Sequence, residues 1–94
     1  MEDDHRLRDA QRGIPLGLAP RGFRGRIASI EVGEGGHGLT AIELERRLLE
    51  LGFVEGATVE ILHEGPLGRD PIAVRLIDAT VAVRRREAMA VYVT

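Results

Sequence analysis

The chain has 94 residues, 44% of them apolar and 30% charged, with a formal net charge of −2 and no cysteine. This length suits one small domain. The charge balance gives no general attraction to nucleic acid or anionic lipid, and the lack of Cys excludes disulfides, iron–sulfur ligation and thiolate zinc sites. Because there is no signal peptide pattern and no apolar run near the roughly 20 residues of a membrane span, we expect a cytoplasmic protein that is not membrane-embedded.

The first segment, residues 1–13, mixes acidic residues with Arg and has few apolar side chains. It cannot bury enough surface to order itself, which predicts a flexible N-terminal tail. We therefore place the domain at residues 14–94. The domain opens with alternating Pro, Gly and apolar residues, which is typical of an irregular segment. In it, Leu16 and Leu18 are expected to plug one end of the core.

The first strand is predicted over residues 24–32, where residues alternate with a period of two. In this register Ala28, Ile30 and Val32 share one face of the strand. The glycine-rich stretch Gly33–Gly38 follows, and its composition predicts a flexible loop.

The strongest helix signal runs from Thr40 to Leu51. Thr40 and Glu43 have the spacing of a capping box, and Gly52 supplies a stop at the C-terminus. Four apolar residues fall on one helical stripe: Ala41, Leu44, Leu48 and Leu51. On the solvent face, Glu43 is expected to pair with Arg47.

Period-two patterning after the helix predicts four further short strands, around Val59 and within residues 72–77, 81–84 and 90–93. Turns are expected at residues 65–71 and 78–79, with a short helical corner at residues 85–88. Five short strands with one inserted helix indicate a mainly β protein. Strands of about five residues at this spacing favour a small closed or nearly closed barrel, because closure removes exposed edges.

Three segments of the second half carry a resemblance to a known family. They read RLLELGFVEGATV at residues 47–59, GPLGRDPI at residues 65–72 and VAVRRREA at residues 81–88. Their order and spacing resemble the FeoA family, and the match extends over roughly residues 14–94.

The resemblance implies an SH3-like barrel of about five strands and a non-catalytic accessory role in bacterial ferrous iron uptake. It also implies a partner, the cytosolic GTPase-containing part of a FeoB-type permease, which would recruit this protein to the inner face of the membrane. The same fold occurs as the C-terminal domain of metal-dependent repressors, so a metal-responsive regulatory module is the alternative function.

Partner contacts are expected at the helix exit and at the hairpin that follows it. We predict apolar anchors at Leu51, Phe53 and Leu67, with the charge of Arg69 setting the register. Two interpretations of Phe53 stay open. Packing in the core is favoured because most aromatic side chains are mainly buried, and partial exposure as an interface anchor is the other.

Two further surface features follow from the pattern. Leu62 and Ile77 point outward from their predicted strands, and we expect the helix to cover them. If they are exposed instead, they form an apolar patch suited to a partner. A local basic cluster is also predicted, formed by Arg24, Arg26, Arg75, Arg84, Arg85 and Arg86. It is interpreted as a solvated face or as a docking site for an acidic patch of a partner. RNA binding is a third interpretation, which the lack of stacking aromatic residues and of positive net charge disfavours.

Metal ligation and catalysis have little support in the sequence. His37, His63 and Glu64 are weak candidate ligands, since transition-metal sites usually need three or more converging ligands. We therefore expect no resident cofactor and at most weak binding of Fe²⁺ or another divalent metal. The chain has no Cys or Lys nucleophile and no phosphate-binding loop, so we expect no enzyme. Exposed strand edges would allow a homo-oligomer.

Overall fold

The computed structural model describes residues 13–33 and 38–94. The predicted tail lies outside these residues except for Gly13, as do His37 and most of the glycine-rich loop. The described residues form eight elements and a 3₁₀ turn at Leu16–Leu18. In chain order they are β1 (Ile14–Pro15), β2 (Arg24–Ile30), α1 (Ala41–Leu51), β3 (Thr58–Leu67), β4 (Asp70–Arg75), β5 (Thr80–Val83), α2 (Arg85–Ala88) and β6 (Val91–Val93).

The described strands form one sheet of six strands in the order β1-β6-β2-β3-β4-β5. All neighbouring strands are antiparallel. This confirms a mainly β fold with one long inserted helix. The strand that the prediction lacked is β1, where Ile14 pairs with Val93 and Pro15 with Tyr92. Two residues are too few to show a period of two, so the Pro and Gly signals around them predicted an irregular segment instead.

The core is built from buried side chains of the sheet, of α1 and of the segments that join them. Its largest side chain is Phe53, and Leu44 and Leu48 enter it from α1. The other fully buried large side chains come from the 3₁₀ turn and the strands: Leu16, Val59, Ile61, Ile72, Val74, Val83, Val91 and Val93. Each such burial stabilises the fold by about 1.5–3 kcal/mol before the entropy of ordering is counted.

Helix α1 begins and ends as its sequence predicts. Thr40 Oγ1 accepts from Glu43 N at 3.2 Å, while Glu43 Oε1 accepts from Thr40 N at 2.9 Å. Gly52 ends the helix in the left-handed conformation, with φ of 105°. The predicted pairing of Arg47 with Glu43 is wrong. Arg47 Nε instead donates to Glu87 Oε2 at 2.9 Å and so ties α1 to α2.

Strand β2 contains a β-bulge between Ile27 and Ser29. A bulge adds one residue to one strand and so reverses which residues face the core beyond it. Ile27 is buried and Ala28 is exposed, whereas Ile30 is half-buried. The predicted face with Ala28 beside Ile30 is therefore wrong, because one register was extended through the whole strand.

Leu16 and Leu18 were both predicted to fill one end of the core, but they differ in burial. Leu16 is fully buried, as predicted, but Leu18 is 67% exposed, because the tight 3₁₀ turn points it away from the core.

The two residues predicted to lie under the helix are Leu62 and Ile77. Leu62 is half-buried beside a second bulge, which lies between Ile61 and His63. Ile77 is 75% exposed, so the prediction that the helix covers it is wrong.

Strands β3 and β4 form a hairpin whose turn is shorter than predicted. β3 runs to Leu67 and β4 restarts at Asp70, so only Gly68 and Arg69 lie between them. Their φ angles of 70° and 64° are both positive, as a type I′ turn requires. Gly65 is needed earlier in the hairpin, because a Cβ there would lie 2.1 Å from the carbonyl oxygen of Asp70.

Candidate functional site

The helix exit places its two predicted anchors at different depths. Gly52 reverses the chain after Leu51, and Phe53 N donates to Leu48 O at 3.0 Å. This turn drops the Phe53 ring into the core, where it is fully buried. Of the two interpretations of Phe53, packing in the core is therefore the correct one, and the ring offers a partner no direct contact surface. Leu51 is half-buried beside it.

A continuous apolar surface surrounds this exit, and we call Leu49, Leu51, Val54 and Ile77 the helix-exit strip. Leu49 is 49% exposed, Val54 46% and Ile77 75%. Val54 joins two shallow clefts, one of about 320 Å³ shared with Leu49 and one of about 240 Å³ shared with Leu51 and Ile77. Single exposed apolar residues are ordinary, but a contiguous group is typical of an interaction surface.

Sequence analysis missed two members of the strip, Leu49 and Val54. Leu49 lies off the main apolar stripe of α1, and Val54 directly follows Phe53. For Ile77, coverage by the helix was the favoured prediction, and an exposed apolar patch, which the structure has, was the second one. One signal could have found Val54, because it stands beside a tight turn, where apolar side chains have little room to bury.

The hairpin tip carries the other predicted contacts. Leu67 is 84% exposed, and Arg69 is exposed with its backbone in the left-handed region. Arg85 contacts the backbone of the tip, because its Nε donates to Arg69 O at 2.8 Å. The backbone N–H of Arg85 also donates to Asp70 Oδ1 at 2.9 Å.

The helix exit and the hairpin tip lie at opposite ends of the sheet. Leu67 pairs with Asp70 at the first residue of β4. Gly52 lies beyond the last residue of β4, next to Leu76: a Cβ added to Gly52 would sit 3.3 Å from Leu76 Cδ1. At about 3.3 Å per residue, β4 separates the two surfaces by roughly 20 Å. The structure therefore does not bring Leu51 together with Leu67 and Arg69.

The predicted basic cluster is divided by the fold. Arg85 lies inside, where Nη1 donates to Ala19 O at 2.7 Å and to Gly17 O at 3.1 Å, and Nη2 pairs with Glu64 Oε2 at 2.7 Å. Its side chain is only 19% exposed. Arg85 is thus a structural tie rather than a docking group.

The remaining arginines of the cluster stay at the surface. Arg84 and Arg86 are exposed at α2, and three others share the outer face of the sheet: Arg24, Arg26 and Arg75. The cluster is therefore two separate surfaces, and Arg85 is half-buried between the chain segments that it joins.

The candidate metal ligands do not converge. His63 is exposed on β3, while the carboxylate of its neighbour Glu64 is engaged by Arg85. Within residues 13–33 and 38–94, no three His, Cys, Asp or Glu side chains come together as a metal site would need. Over the same residues, neither helix is long and apolar enough to cross a membrane.

The described residues form a small antiparallel β domain with exposed apolar and basic surfaces. The FeoA domain matches residues 14–94, and the chain belongs to the FeoA family. FeoA of Stenotrophomonas maltophilia, an SH3 domain protein crystallised with zinc, is 33% identical with a TM-score of 0.65, over 84% of this chain and 87% of that one. The FeoA-like protein of Clostridium acetobutylicum is 28% identical with a TM-score of 0.71, over 88% and 86%. The predicted SH3-like fold is confirmed.

A third relative joins this domain to a transporter. The Fe(2+) transport protein A/Fe(2+) transporter FeoB fusion protein of Porphyromonas gingivalis is 44% identical over 43 residues, which are 46% of this chain. The aligned part is 5% of the fusion protein, so this chain matches only a small part of that curated relative. A manganese-dependent transcriptional repressor is 20% identical with a TM-score of 0.66, over 84% of this chain and 39% of the repressor. That likeness shows the fold alone.

Proposed function

We propose that this protein is a non-catalytic accessory of ferrous iron transport that docks on the cytosolic, GTPase-containing part of a FeoB-type permease. The observation that carries the proposal is the helix-exit strip, an exposed apolar surface on a domain of the FeoA family. The fusion of the two proteins in Porphyromonas gingivalis supports this choice of partner, since domains that share one chain are held close together. Docking of this kind recruits the domain to the inner face of the membrane.

Within the strip, Ile77 is the strongest anchor. It is 75% exposed, more than any other member, and so has the most apolar surface to lose to a partner. Burial of apolar surface contributes about 25 cal/mol per Å², and a few well-packed residues usually carry most of the binding energy. Leu51 is half-buried beside Ile77 and widens the contact. Leu67 and Arg69 stay predicted contacts that only a partner spanning roughly 20 Å could reach as well.

The test is an NMR amide-shift titration of the full chain with the cytosolic part of the permease. Shifts are expected around Val54 and Ile77. Ile77→Asp is expected to weaken binding by about tenfold or more, because it places a charge in the apolar contact. Leu18→Asp is the matched control, since Leu18 is similarly exposed at 67% but lies in the 3₁₀ turn near the hairpin end.

Equal binding by the native chain and Ile77→Asp would refute the strip as the docking site. No binding by the native chain would refute the proposed partner. Leu67→Asp tests the hairpin tip in the same series of variants. Weaker binding by this variant would show that the partner also reaches the hairpin end of the sheet. Size-exclusion chromatography of the chain tests the predicted homo-oligomer.

The absence of a resident cofactor stays part of the proposal, with at most weak binding of Fe²⁺ or another divalent metal. It is supported by Glu64, whose carboxylate is already paired with Arg85 and so is not free to join His63. Ferrous ion alone is the parallel titration. Line broadening centred on His63 at low ion concentration would contradict this part and favour the metal-responsive regulatory alternative.

A further inference from the structure

The outer face of the sheet carries a row of alternating charge across three neighbouring strands. Arg24 of β2 stands opposite Glu60 of β3, and Glu60 stands opposite Arg75 of β4. Arg26 lies two residues further along β2, on the same side as Arg24 because side chains alternate along a strand. We call Arg24, Arg26 and Arg75 the arginine face. They line an open cleft of about 550 Å³.

Positive charge exceeds negative charge in this cleft. Among the described residues that line it, Glu60 is the one carboxylate, against three guanidinium groups. It reaches Arg75 Nη1 at 3.7 Å, a loose pair whose Arg side chain is 61% exposed. Arg24 and Arg26 are exposed, and neither has an ion pair or side-chain hydrogen bond with another described residue. The excess charge therefore has no partner within the described part of the chain.

The cleft is also apolar at one side. Ile77 lines it together with Leu76, and the same two residues line the cleft that holds Leu51 and Val54. The arginine face and the helix-exit strip are thus one continuous surface that meets at Ile77. A ligand that fits it must present apolar groups beside negative charge.

We infer that the arginine face binds an acidic peptide segment of the docking partner, one whose carboxylates flank an apolar residue that sits on Ile77. This inference rests on the proposed function and names the chemistry of the partner's side of the contact. Paired carboxylates match the guanidinium groups because each can accept two parallel N–H bonds from one Arg. The apolar residue between them continues the contact of the helix-exit strip.

A nucleic acid fits this surface less well. The chain has a net charge of −2, which opposes a polyanion at long range. None of the described residues that line the cleft is aromatic, so they offer bases no platform on which to stack. A peptide carries a few local charges and an apolar side chain, which are the two features that the surface offers.

The test compares charge reversals with equal effects on net charge. R24E/R26E is expected to weaken binding to the cytosolic part of the permease by about tenfold or more at low salt, through lost attraction and new repulsion. R46E/R86E, on exposed residues of α1 and α2, is the control and should bind within about twofold of the native chain. The native affinity should fall between about 0.1 M and about 1 M salt, where the Debye length shrinks from about 10 Å to about 3 Å.

A synthetic peptide with Glu on both sides of a Leu tests the inference without the permease. Amide shifts at Arg24 and Arg26 are expected with this peptide, and none with its Gln counterpart or with R24E/R26E. Circular dichroism of each variant confirms that it is folded, and R24Q/R26Q gives a milder change if the reversal unfolds the chain.

The outcomes separate the two proposals. If Ile77→Asp weakens permease binding but R24E/R26E does not, the proposed function stands and the inference is overturned. If the native chain does not bind the permease, the proposed function fails and the Glu peptide alone decides the inference. If a single-stranded RNA oligonucleotide binds in a salt-sensitive manner and the Glu peptide does not bind, the inference is also overturned.

Discussion

Replacing Arg85 by Met should destabilise the domain more than any other single change to a charged residue. Met keeps most of the aliphatic stem and removes the guanidinium. Three carbonyl oxygens then lose their donor, those of Gly17, Ala19 and Arg69, and the carboxylate of Glu64 loses its partner. These groups come from two distant parts of the chain, residues 17–19 and 64–69, which the guanidinium joins to α2.

The magnitude follows from the number and burial of these bonds. A buried acceptor left without a donor costs about 1–3 kcal/mol. Water can replace part of the loss, because the Arg85 and Glu64 side chains are 19% and 21% exposed and the bond to Arg69 lies at the surface. We expect a net loss of about 2–4 kcal/mol in the free energy of unfolding. For a domain of this size that lowers Tm by about 10–25 °C.

Urea and thermal unfolding, followed by circular dichroism, measure this loss. Arg86→Met is the matched control, since Arg86 is the exposed neighbour and its loss should stay within about 0.5 kcal/mol. Arg85→Lys should recover only part of the stability, because one ammonium cannot reach acceptors spread around a planar guanidinium. If Arg85→Met and Arg86→Met unfold at the same urea concentration, the tie formed by Arg85 does not stabilise the fold.

Three further predictions concern the backbone, the helix cap and the core. Gly65→Ala should cost about 1–3 kcal/mol, since its Cβ would meet the Asp70 carbonyl at 2.1 Å. Gly33→Ala is the comparison: its Cβ meets no described residue within 4 Å, so the change should be neutral or slightly stabilising in the same urea titration. Hydrogen bonds from the Thr40 backbone, and next from its side chain, lower the pKa of Glu43 below its ordinary value of 4.5. The ionised carboxylate therefore stabilises the folded state fully at a pH above the ordinary pKa, and this stabilisation is lost as the pH falls through the lower pKa of the folded state. Glu43→Gln should flatten that part of the curve of stability against pH. An unchanged curve would contradict the capping box. Phe53→Leu should lower Tm, because the ring is buried in the core. The Kd for the permease should stay within about twofold of the native value, since a buried ring does not touch the partner. A large rise in Kd without a loss of Tm would contradict this and show that Phe53 touches the partner.

Features that depend on residues close in sequence were predictable. The capping box of Thr40 and Glu43 and the stop at Gly52 each involve at most a few neighbouring residues. Their chemistry acts locally, whatever packs around the helix. The alternation in β4, with Ile72 and Val74 in the core, was equally readable, because no bulge interrupts its pairing with β5.

Features that depend on register were not predictable. The bulges in β2 and β3 each shift which residues face inward, and nothing in the local sequence marks the extra residue. The predicted contact residues lie on two separate surfaces for a related reason. Leu51 and Leu67 are near in sequence, but the full length of β3 carries the chain from one end of the sheet to the other. Sequence spacing suggested one surface where the antiparallel topology makes two.

The two ends of the sheet also differ in what they have left to offer a partner. At the hairpin end, Leu67 and Arg69 are exposed, but the half-buried charges of Arg85 and Glu64 already satisfy each other and the nearby carbonyl groups. Groups already paired gain little from docking, since new bonds would replace existing ones. At the other end, Arg24 and Arg26 are exposed beside Ile77, whose apolar surface faces water. A partner that covers this end gains both charge pairing and apolar burial without breaking a contact of the fold, which is why the docking site should lie there.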